Sequence, residues 1–285
     1  QFLVEKYNVD GFRLDTALYM PKWFLQRFQE AAGVYMTGEV VTHNMSFHRS
    51  FAPPLTGLLN FPVTEHLKHI FSSNGSMMDL KSLMSQSAEL AYPDAHLLGN
   101  FIDNHDSSRF LYNHSGDLSQ LKNALTWTLL YHGLPIVYYG TEQVEVSNQE
   151  DMRTSMWPHF SHSNLYDFLA GLNKIRKEHG FAAGGQNVLS RAEVLSSTQN
   201  CMLMARAELL VLVTNTGGKG GPSCHICLPL SSLPSRLANS CTHIPRPLGA
   251  DPAPYCRKTK DLELCIQADA GEPALFTAQA ASIFM

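Results

Sequence analysis

The chain has 285 residues, of which 44 % are hydrophobic and 16 % are charged, and its formal net charge at pH 7 is −4. This composition is typical of a globular enzyme, and the length is sufficient for one large domain and one small domain. The weak negative net charge gives no electrostatic indication of a partner such as nucleic acid or an anionic membrane. The sequence also contains no run of about 18 apolar residues that would predict a membrane-spanning helix. We therefore expect a neutral substrate, with neither nucleic acid nor a membrane as partner.

The first half of the chain predicts strands that alternate with helices. Residues 1–7 are typical of the end of a helix. Strands are predicted at 9–15, 34–41, 58–61, 96–103 and 135–140, and helices at 21–32, 76–90, 118–131 and 163–178. Trp23, Phe24 and Phe28 recur at helical spacing, so we expect them to pack in the core. This alternation predicts an α/β fold with a parallel sheet.

Three predicted strands carry acids near their C-terminal ends, namely Asp15, Glu39 and Asp106. The carboxyl ends of parallel strands meet at one edge of a sheet, so these carboxylates are expected to share a cleft. A single acid in such a position is more often a loop residue or the N-cap of a helix. The motifs around the three acids decide between these interpretations.

From Gly184 onward the composition shifts towards Thr, Ser, Gly and Pro, and short alternating runs replace the helical patterns. Strands are predicted at 201–206, 209–214 and 225–228, with a glycine-rich turn at 217–221. We therefore expect two domains, an α/β domain at 1–183 and an all-β domain at 184–285.

All of the cysteines lie in this second part, at positions 201, 224, 227, 241, 256 and 265. Cys224, Cys227, Cys241 and His243 offer a zinc site as one interpretation, but the second half of a zinc motif is missing. Disulfides formed in an oxidising compartment are the favoured interpretation, with the pairing left open. Glycosylation sequons at Asn44, Asn74 and Asn113 are compatible with secretion.

The motifs around the acids resemble the α-amylase family of retaining glycoside hydrolases, and most closely its secreted fungal-type members. The motifs that carry this resemblance are Gly11-Phe-Arg-Leu-Asp15, Gly38-Glu-Val40, Gly57-Leu-Leu-Asn-Phe-Pro62 and Phe101-Ile-Asp-Asn-His-Asp-Ser-Ser-Arg-Phe110. They occur in the order that the family has and at sensible distances along the chain.

The resemblance implies the C-terminal part of a TIM-type (β/α)8 barrel, approximately strands 4 to 8, followed by an antiparallel β-sandwich. Counterparts of the first three strands, and of the small domain inserted after the third, do not occur in the sequence. We therefore expect that the natural protein extends upstream of Gln1, and that the complete protein is an extracellular monomer.

The same resemblance assigns roles to the three acids. Asp15 is the nucleophile that forms the glycosyl-enzyme, and Glu39 is first the general acid and then the general base. Asp106 binds sugar hydroxyls and favours the distorted ring. In retaining enzymes the two reacting carboxyl groups are about 5 Å apart, a spacing that the ends of neighbouring strands provide.

Further substrate-binding residues are expected near the acids. Arg13 lies two residues before Asp15 on the same face of the strand, where its guanidinium can orient the carboxylate. By resemblance, His105 donates to a sugar hydroxyl, although a histidine alone is more often a core residue. Arg153 resembles a subsite residue in the loop after the last strand, and a solvated surface arginine is the alternative.

One departure from the fungal-type pattern follows the nucleophile. Leu18 and Tyr19 occupy positions where those members usually carry a Lys-His pair that binds sugar. This leaves the specificity open, and Tyr19 remains a candidate for stacking on a glucose ring. A structural calcium ion is implied by the resemblance, with only the main-chain carbonyl near Tyr19 as a remaining ligand.

The favoured function is endo-hydrolysis of α-1,4-glucosidic bonds in starch, glycogen and related maltooligosaccharides, with retention of configuration. An α-glucosidase or a transglycosylase of the same family keeps the same three acids and is the nearest alternative. A catalytically inactive relative that acts as a binding module is the non-enzymatic alternative. The presence of all three acids argues against it.

Overall fold

The structure is a computed structural model. It describes residues 1–146, 152–157, 160–218, 223–234, 237, 242–243, 255–258, 263–268 and 271–277. Contacts divide the chain into two compact units, the first comprising Gln1–His66, Ser82–Phe101 and Gly133–Ile136, and the second comprising Leu67–Lys81, Ile102–His132 and Val137–Met285. The domain boundary predicted at residue 183, between an α/β domain and an all-β domain, stays a prediction.

The helices of the described residues are α1 (Phe2–Tyr7), α2 (Lys22–Ala32), α3 (Met45–Arg49), α4 (Phe61–Ile70), α5 (Met77–Glu89), α6 (Phe110–Asn113), α7 (Leu118–Leu130) and α8 (Asn164–Glu178). The strands are β1 (Gly11–Leu14), β2 (Tyr35–Gly38), β3 (Gly57–Leu58), β4 (Gly99–Asn100), β5 (Leu134–Pro135), β6 (Ala192–Ser197), β7 (Cys201–Arg206), β8 (Leu209–Thr214), β9 (Cys224–Pro229), β10 (Thr242–His243), β11 (Tyr255–Lys258), β12 (Glu263–Ala268) and β13 (Ala274–Thr277). None of these helices has the length and apolar character that crossing a bilayer requires.

A parallel sheet forms the centre of the first unit. Strand β1 pairs with β2, β2 pairs with β3, and β4 pairs with β5, all in parallel. A parallel bridge between Leu59 and Gly99 joins the end of β3 to β4. The strands therefore follow one another across the sheet in chain order, which is the arrangement that successive strand-helix units produce.

Glycine and proline set the first strand and the helix after it. A Cβ atom on Gly11 would lie 2.7 Å from the carbonyl oxygen of Tyr35, so β1 can approach β2 this closely only with glycine at this position. Pro21 precedes the first turn of α2, and Gly33 ends the helix with a φ of 67°. These residues fix the length of the connection between the first two acids.

The aromatic side chains of α2 are exposed, so the prediction that they belong to the core was wrong. Trp23, Phe24 and Phe28 are 62 %, 40 % and 39 % exposed. The helix instead buries Leu25 and Ala32, which are seven residues apart and therefore lie on the same face. The aromatic rings pack on one another along another face, where Phe24 and Phe28 stack with centroids 5.8 Å apart.

Strand β5 is shorter and less buried than predicted. Its last bond to β4 runs from the Ile136 N–H to the Asn100 carbonyl, at 2.8 Å. Strand β4 ends at Asn100, so the predicted strand 135–140 is paired only at its beginning. Val137 and Tyr139 are more than one third exposed, at 38 % and 41 %. The expectation of a last buried strand over 135–140 was therefore wrong.

A buried histidine joins several loops of the first unit. The Nε2 atom of His48 lies 3.0 Å from the carbonyl oxygen of Leu59, to which it donates, and Nδ1 lies 2.9 Å from the hydroxyl oxygen of Tyr92. Burial lowers the pKa of His48 from 6.5 to about 4, and the hydrogen bond to Leu59 opposes this shift. At neutral pH the ring is therefore uncharged.

We expect the free energy of unfolding to fall as the pH is lowered from 7 to 4. Between pH 6.5 and about 4 the unfolded chain binds a proton that folded His48 does not. The stability that neutral His48 contributes is therefore present above pH 6.5 and lost towards pH 4, by about 3 kcal/mol at most. Urea unfolding of the full-length protein at several pH values measures this loss.

A His48→Gln variant should show a shallower dependence of stability on pH, because glutamine does not titrate. The matched control is His69→Gln, since His69 is exposed. Equal slopes for the wild type and the His48→Gln variant would contradict the assignment of the titrating group.

The second unit contains antiparallel sheets. One has the strand order β10-β13-β8-β7-β6 and the other has the order β11-β12-β9. Both sheets contribute to one hydrophobic cluster, which includes Leu203, Leu212, Ile226, Ile266 and Phe276. The predicted strands 201–206 and 209–214 agree with β7 and β8, and the predicted strand 225–228 lies within β9.

Polar side chains connect α7 with these sheets inside the second unit. The buried guanidinium of Arg206 donates from Nη1 to the carbonyl oxygens of Leu130, at 3.2 Å, and Tyr131, at 2.8 Å. These carbonyl groups lie at the end of α7, where no further helical N–H group is available to donate to them. The Asn123 side chain donates to the Gly271 carbonyl and accepts from the Thr214 N–H at 2.8 Å.

The described cysteines form disulfides, which confirms the favoured interpretation of the cysteine pattern. Cys201 is bonded to Cys224, and Cys227 is bonded to Cys265. The zinc alternative was wrong because Cys224 and Cys227 are oxidised in separate bonds. Cys241 and the side chains of His243 and Cys256 lie outside the described residues.

Candidate active site

Asp15 directly follows β1, and the backbone reverses immediately after it. Thr16 has a φ of 52°, a left-handed conformation that is rare for a β-branched residue. In this conformation the Thr16 N–H donates to Oε2 of Glu39 at 2.8 Å. The local backbone therefore turns a main-chain donor towards the second candidate acid.

Glu39 directly follows β2, at the same end of the sheet as Asp15. Leu14 and Gly38 are register partners in the two neighbouring strands, and the Glu39 N–H donates to the Leu14 carbonyl at 2.9 Å. The side chain of Glu39 is only 10 % exposed, whereas that of Asp15 is 68 % exposed. One acid is therefore enclosed and the other is open to a ligand.

Arg13 bridges the two carboxylates. Its Nη1 atom lies 2.6 Å from Oδ1 of Asp15, and its Nη2 atom lies 2.9 Å from Oε1 of Glu39. The predicted contact between Arg13 and Asp15 is therefore present, and the contact with Glu39 extends it. A planar guanidinium with two donors fixes the relative orientation of both carboxyl groups. Each carboxyl group keeps acceptor capacity for a ligand.

Tyr19 lies on the 3-10 turn Ala17–Tyr19, which follows Asp15. Its side chain is 81 % exposed. The turn is fixed to the second acid by the Leu18 N–H, which donates to the Glu39 carbonyl at 3.3 Å. The position of Tyr19 is compatible with the predicted stacking on a sugar ring.

The expected calcium ion does not find a ligand set among the described residues. Ca²⁺ takes six to eight oxygen ligands, of which the Tyr19 carbonyl would supply one. The group of His, Cys, Asp or Glu residues that could hold a metal within the described ranges consists of His225, Cys227 and Cys265. This set contains no oxygen ligand, and its two cysteines are bonded to each other.

The third candidate acid belongs to a second group of residues, in the second unit. Oδ2 of Asp106 lies 3.0 Å from Nε2 of His105, and Oδ1 lies 2.7 Å from Nη2 of Arg153. Arg153 also donates from Nε to the main-chain carbonyl of His105, at 3.0 Å. All three side chains are accessible to solvent.

The structure thus brings the predicted residues together in two groups. Arg13, Asp15 and Glu39 form the first group, and His105, Asp106 and Arg153 form the second. That both groups line one cleft stays a prediction.

Sequence reasoning missed the hydrogen bonds of the two residues that precede His105. Buried Asp103 accepts from the Phe110 N–H at 2.6 Å and from the Thr141 hydroxyl at 3.0 Å. Burial raises the pKa of Asp103, and these hydrogen bonds oppose the shift. Asn104 accepts from the Asp106 N–H at 3.0 Å, a contact between residues two apart that is typical of Asn in turns and was available from the sequence.

The fold and the site define a class of protein, namely an α/β protein with paired acids at the carboxyl edge of a parallel sheet. A family model described as "Alpha amylase, catalytic domain" matches residues 1–184. The chain belongs to the alpha-amylase family, which confirms the resemblance found in the motifs.

Known relatives agree with this assignment. The chain is 36 % identical over 177 residues to Alpha-amylase 1 of Lipomyces kononenkoae, a match that covers 61 % of the chain and 28 % of the relative. It is 35 % identical over 179 residues to Alpha-amylase 2 of Schwanniomyces occidentalis, covering 62 % and 35 %. The matches thus span about a third of the length of these relatives.

Solved structures have the same fold. An alpha-amylase from Malbranchea cinnamomea, 27 % identical, superposes with a TM-score of 0.83 over 99 % of this chain and 59 % of that one. An alpha-amylase from Geobacillus thermoleovorans, solved with acarbose, is 20 % identical and has a TM-score of 0.81, covering 99 % and 62 %. At 20 % identity, the similarity to the Geobacillus thermoleovorans structure shows a shared fold alone.

Proposed function

We propose that the protein containing this chain is a retaining glycoside hydrolase that cleaves α-1,4-glucosidic bonds inside starch, glycogen and related maltooligosaccharides. The observation that carries the proposal is the bridge that Arg13 makes between Asp15 and Glu39 at the ends of adjacent strands. Membership of the alpha-amylase family and the names of the relatives support the substrate class.

Asp15 is proposed as the nucleophile. One carboxylate oxygen attacks the anomeric carbon and forms the glycosyl-enzyme ester, while the bond to the leaving glycosidic oxygen breaks. The exposure of Asp15 supports this role, because the attacking oxygen has to reach the sugar. The contact with Arg13 holds the carboxyl group in one orientation while the ester forms.

Glu39 is proposed as the acid and then the base. In the first step it gives its proton to the leaving oxygen, and in the second step it takes a proton from the water that attacks the ester. Its enclosure supports a defined orientation through both steps, since Arg13 and the Thr16 N–H each contact one of its oxygens. Glu39 is regenerated with its proton at the end of the cycle.

The remaining residues are proposed to bind the substrate. Asp106 and His105 contact sugar hydroxyls, and Tyr19 stacks on a glucose ring. Arg153 was predicted as a further subsite residue. The disulfides support a proposed extracellular location, because such bonds persist in oxidising compartments.

For the architecture, we propose that β1 to β5 correspond approximately to strands 4 to 8 of a TIM-type barrel at 1–183. The parallel strand order and the family match over 1–184 support this proposal. We propose an antiparallel β-sandwich at 184–285, supported by the hydrophobic cluster that the two antiparallel sheets share.

The full-length protein is expected to release products in the α configuration from maltoheptaose, because two displacements at one carbon restore the starting configuration. Proton NMR of the first products measures the anomer, and size analysis of digested amylose measures the mode of cleavage. Initial release of the β anomer would contradict the mechanism. Release of glucose alone from chain ends, or formation of longer oligosaccharides, would favour the glucosidase or the transglycosylase.

A further inference from the structure

Two consecutive tyrosines hold the backbone on both sides of Arg153. The hydroxyl of Tyr138 donates to the carbonyl of Met152 at 3.3 Å, and the hydroxyl of Tyr139 donates to the carbonyl of Thr154 at 3.1 Å. The two residues that accept these bonds are the immediate neighbours of Arg153. The loop is thus fixed at the point from which the arginine side chain extends.

The rings of these tyrosines are fixed in turn by a buried cation. The guanidinium carbon of Arg109 lies 4.1 Å from the ring centroid of Tyr138 and 5.3 Å from that of Tyr139. Arg109 is fully buried, and its side-chain nitrogens have no hydrogen-bond partner within the part of the chain that the structure describes. The aromatic faces therefore supply contacts for this charge, and a desolvated cation–π contact is a strong one.

The side chain of Arg153 is accessible to solvent, and its guanidinium contacts the third acid. Its Nη2 contacts Oδ1 of Asp106 at 2.7 Å while its Nε donates to the His105 carbonyl at 3.0 Å. His105 contacts the other oxygen of Asp106. The planar guanidinium of Arg153 therefore fixes the orientation of the Asp106 carboxylate relative to the adjoining main chain.

We infer that Arg153 is a positioning residue for Asp106, presented by Tyr138 and Tyr139, and that it does not act mainly by binding sugar. This inference rests on the proposed function, since it assigns Asp106 to the glycosidase site. Because Asp106 favours the distorted ring of the transition state, loss of its orientation should lower kcat more than it raises KM. A residue that only binds sugar would mainly raise KM.

The test compares Arg153→Ala and Arg153→Lys with the wild type in the full-length protein, using maltoheptaose as substrate. We expect Arg153→Ala to lower kcat by about 10- to 100-fold, as misplacement of a group by about 1 Å does, with KM changed less than about threefold. Added guanidinium at millimolar concentration should restore part of kcat, since it can occupy the vacated position. Lysine should restore less, because it lacks the planar pair of donors.

Arg27→Ala is the matched control, because Arg27 is exposed and stacks on Trp23. A double variant, Tyr138→Phe with Tyr139→Phe, removes the two hydroxyls and keeps the rings. It should lower kcat in the same direction with KM unchanged, while Arg27→Ala leaves both constants at their wild-type values.

The outcomes separate this inference from the proposed function. An active wild type whose Arg153→Ala variant has unchanged kcat, or only a raised KM, overturns the inference and leaves the function intact. A fall in kcat with a lowered melting temperature and no response to guanidinium also overturns it, since the role is then structural. A wild type that hydrolyses no α-glucan overturns the proposed function and the inference together.

Discussion

An Asp15→Asn variant of the full-length protein is expected to lose kcat/KM for starch by about four orders of magnitude or more, as removal of a nucleophile does in other hydrolases. An amide oxygen is a poor nucleophile towards the anomeric carbon. The side chain keeps its shape, and its oxygen can still accept from Arg13. We therefore expect the melting temperature to change little, since Asp15 is largely exposed.

Initial rates on soluble starch and thermal unfolding measure these two effects separately. The control is Asp10→Asn, which removes an exposed carboxylate just before the same strand. A fluorinated maltosyl fluoride, which slows breakdown of the ester, should add the mass of one fluorinated maltosyl group to the wild type and none to the Asp15→Asn variant. Activity of this variant within tenfold of the wild type would contradict the assignment of Asp15 as the nucleophile.

A Glu39→Gln variant is expected to lose about 10²- to 10⁴-fold in kcat on starch, the range that general acid–base catalysis contributes. The loss should be much smaller on maltosyl fluoride, because fluoride leaves without being protonated. The amide retains an oxygen that can accept from Arg13 or from the Thr16 N–H, so the fold should be preserved. Glutamine has no proton to give to a glycosidic oxygen.

The ratio of the rates on starch and maltosyl fluoride is the quantity to measure for this variant. Added azide should raise its turnover of maltosyl fluoride, since azide attacks the glycosyl-enzyme without a base. Glu30→Gln is the control, because Glu30 is an exposed acid on α2. Equal losses on both substrates would argue that Glu39 is not the acid.

The local positions of Asp15 and Glu39 could be predicted from the sequence because each follows an apolar run of strand length. Parallel order then places both residues at one edge of the sheet. The contact between Arg13 and Glu39 could not be predicted in the same way. It depends on the register of β1 against β2, which the close approach of Gly11 to Tyr35 helps to set.

Other features depend on contacts between distant residues. Helical spacing grouped Trp23, Phe24 and Phe28, but it did not say which face of α2 meets the sheet. The cysteine pattern indicated disulfides without giving their partners, which are set by the pairing of strands such as β9 with β12. The tyrosine contacts on either side of Arg153 join loops that have no regular period.

The contacts of Arg206 and Asn123 limit whether the C-terminal segment can be deleted or exchanged. Arg206 lies on β7, yet it satisfies carbonyls at the end of α7, and Asn123 on α7 satisfies groups near β8 and β13. Deleting the segment after residue 183 would leave these buried amide and carbonyl groups without partners. The two segments are therefore expected to be inherited together, and exchange of the C-terminal segment between relatives should succeed only where both polar contacts are retained.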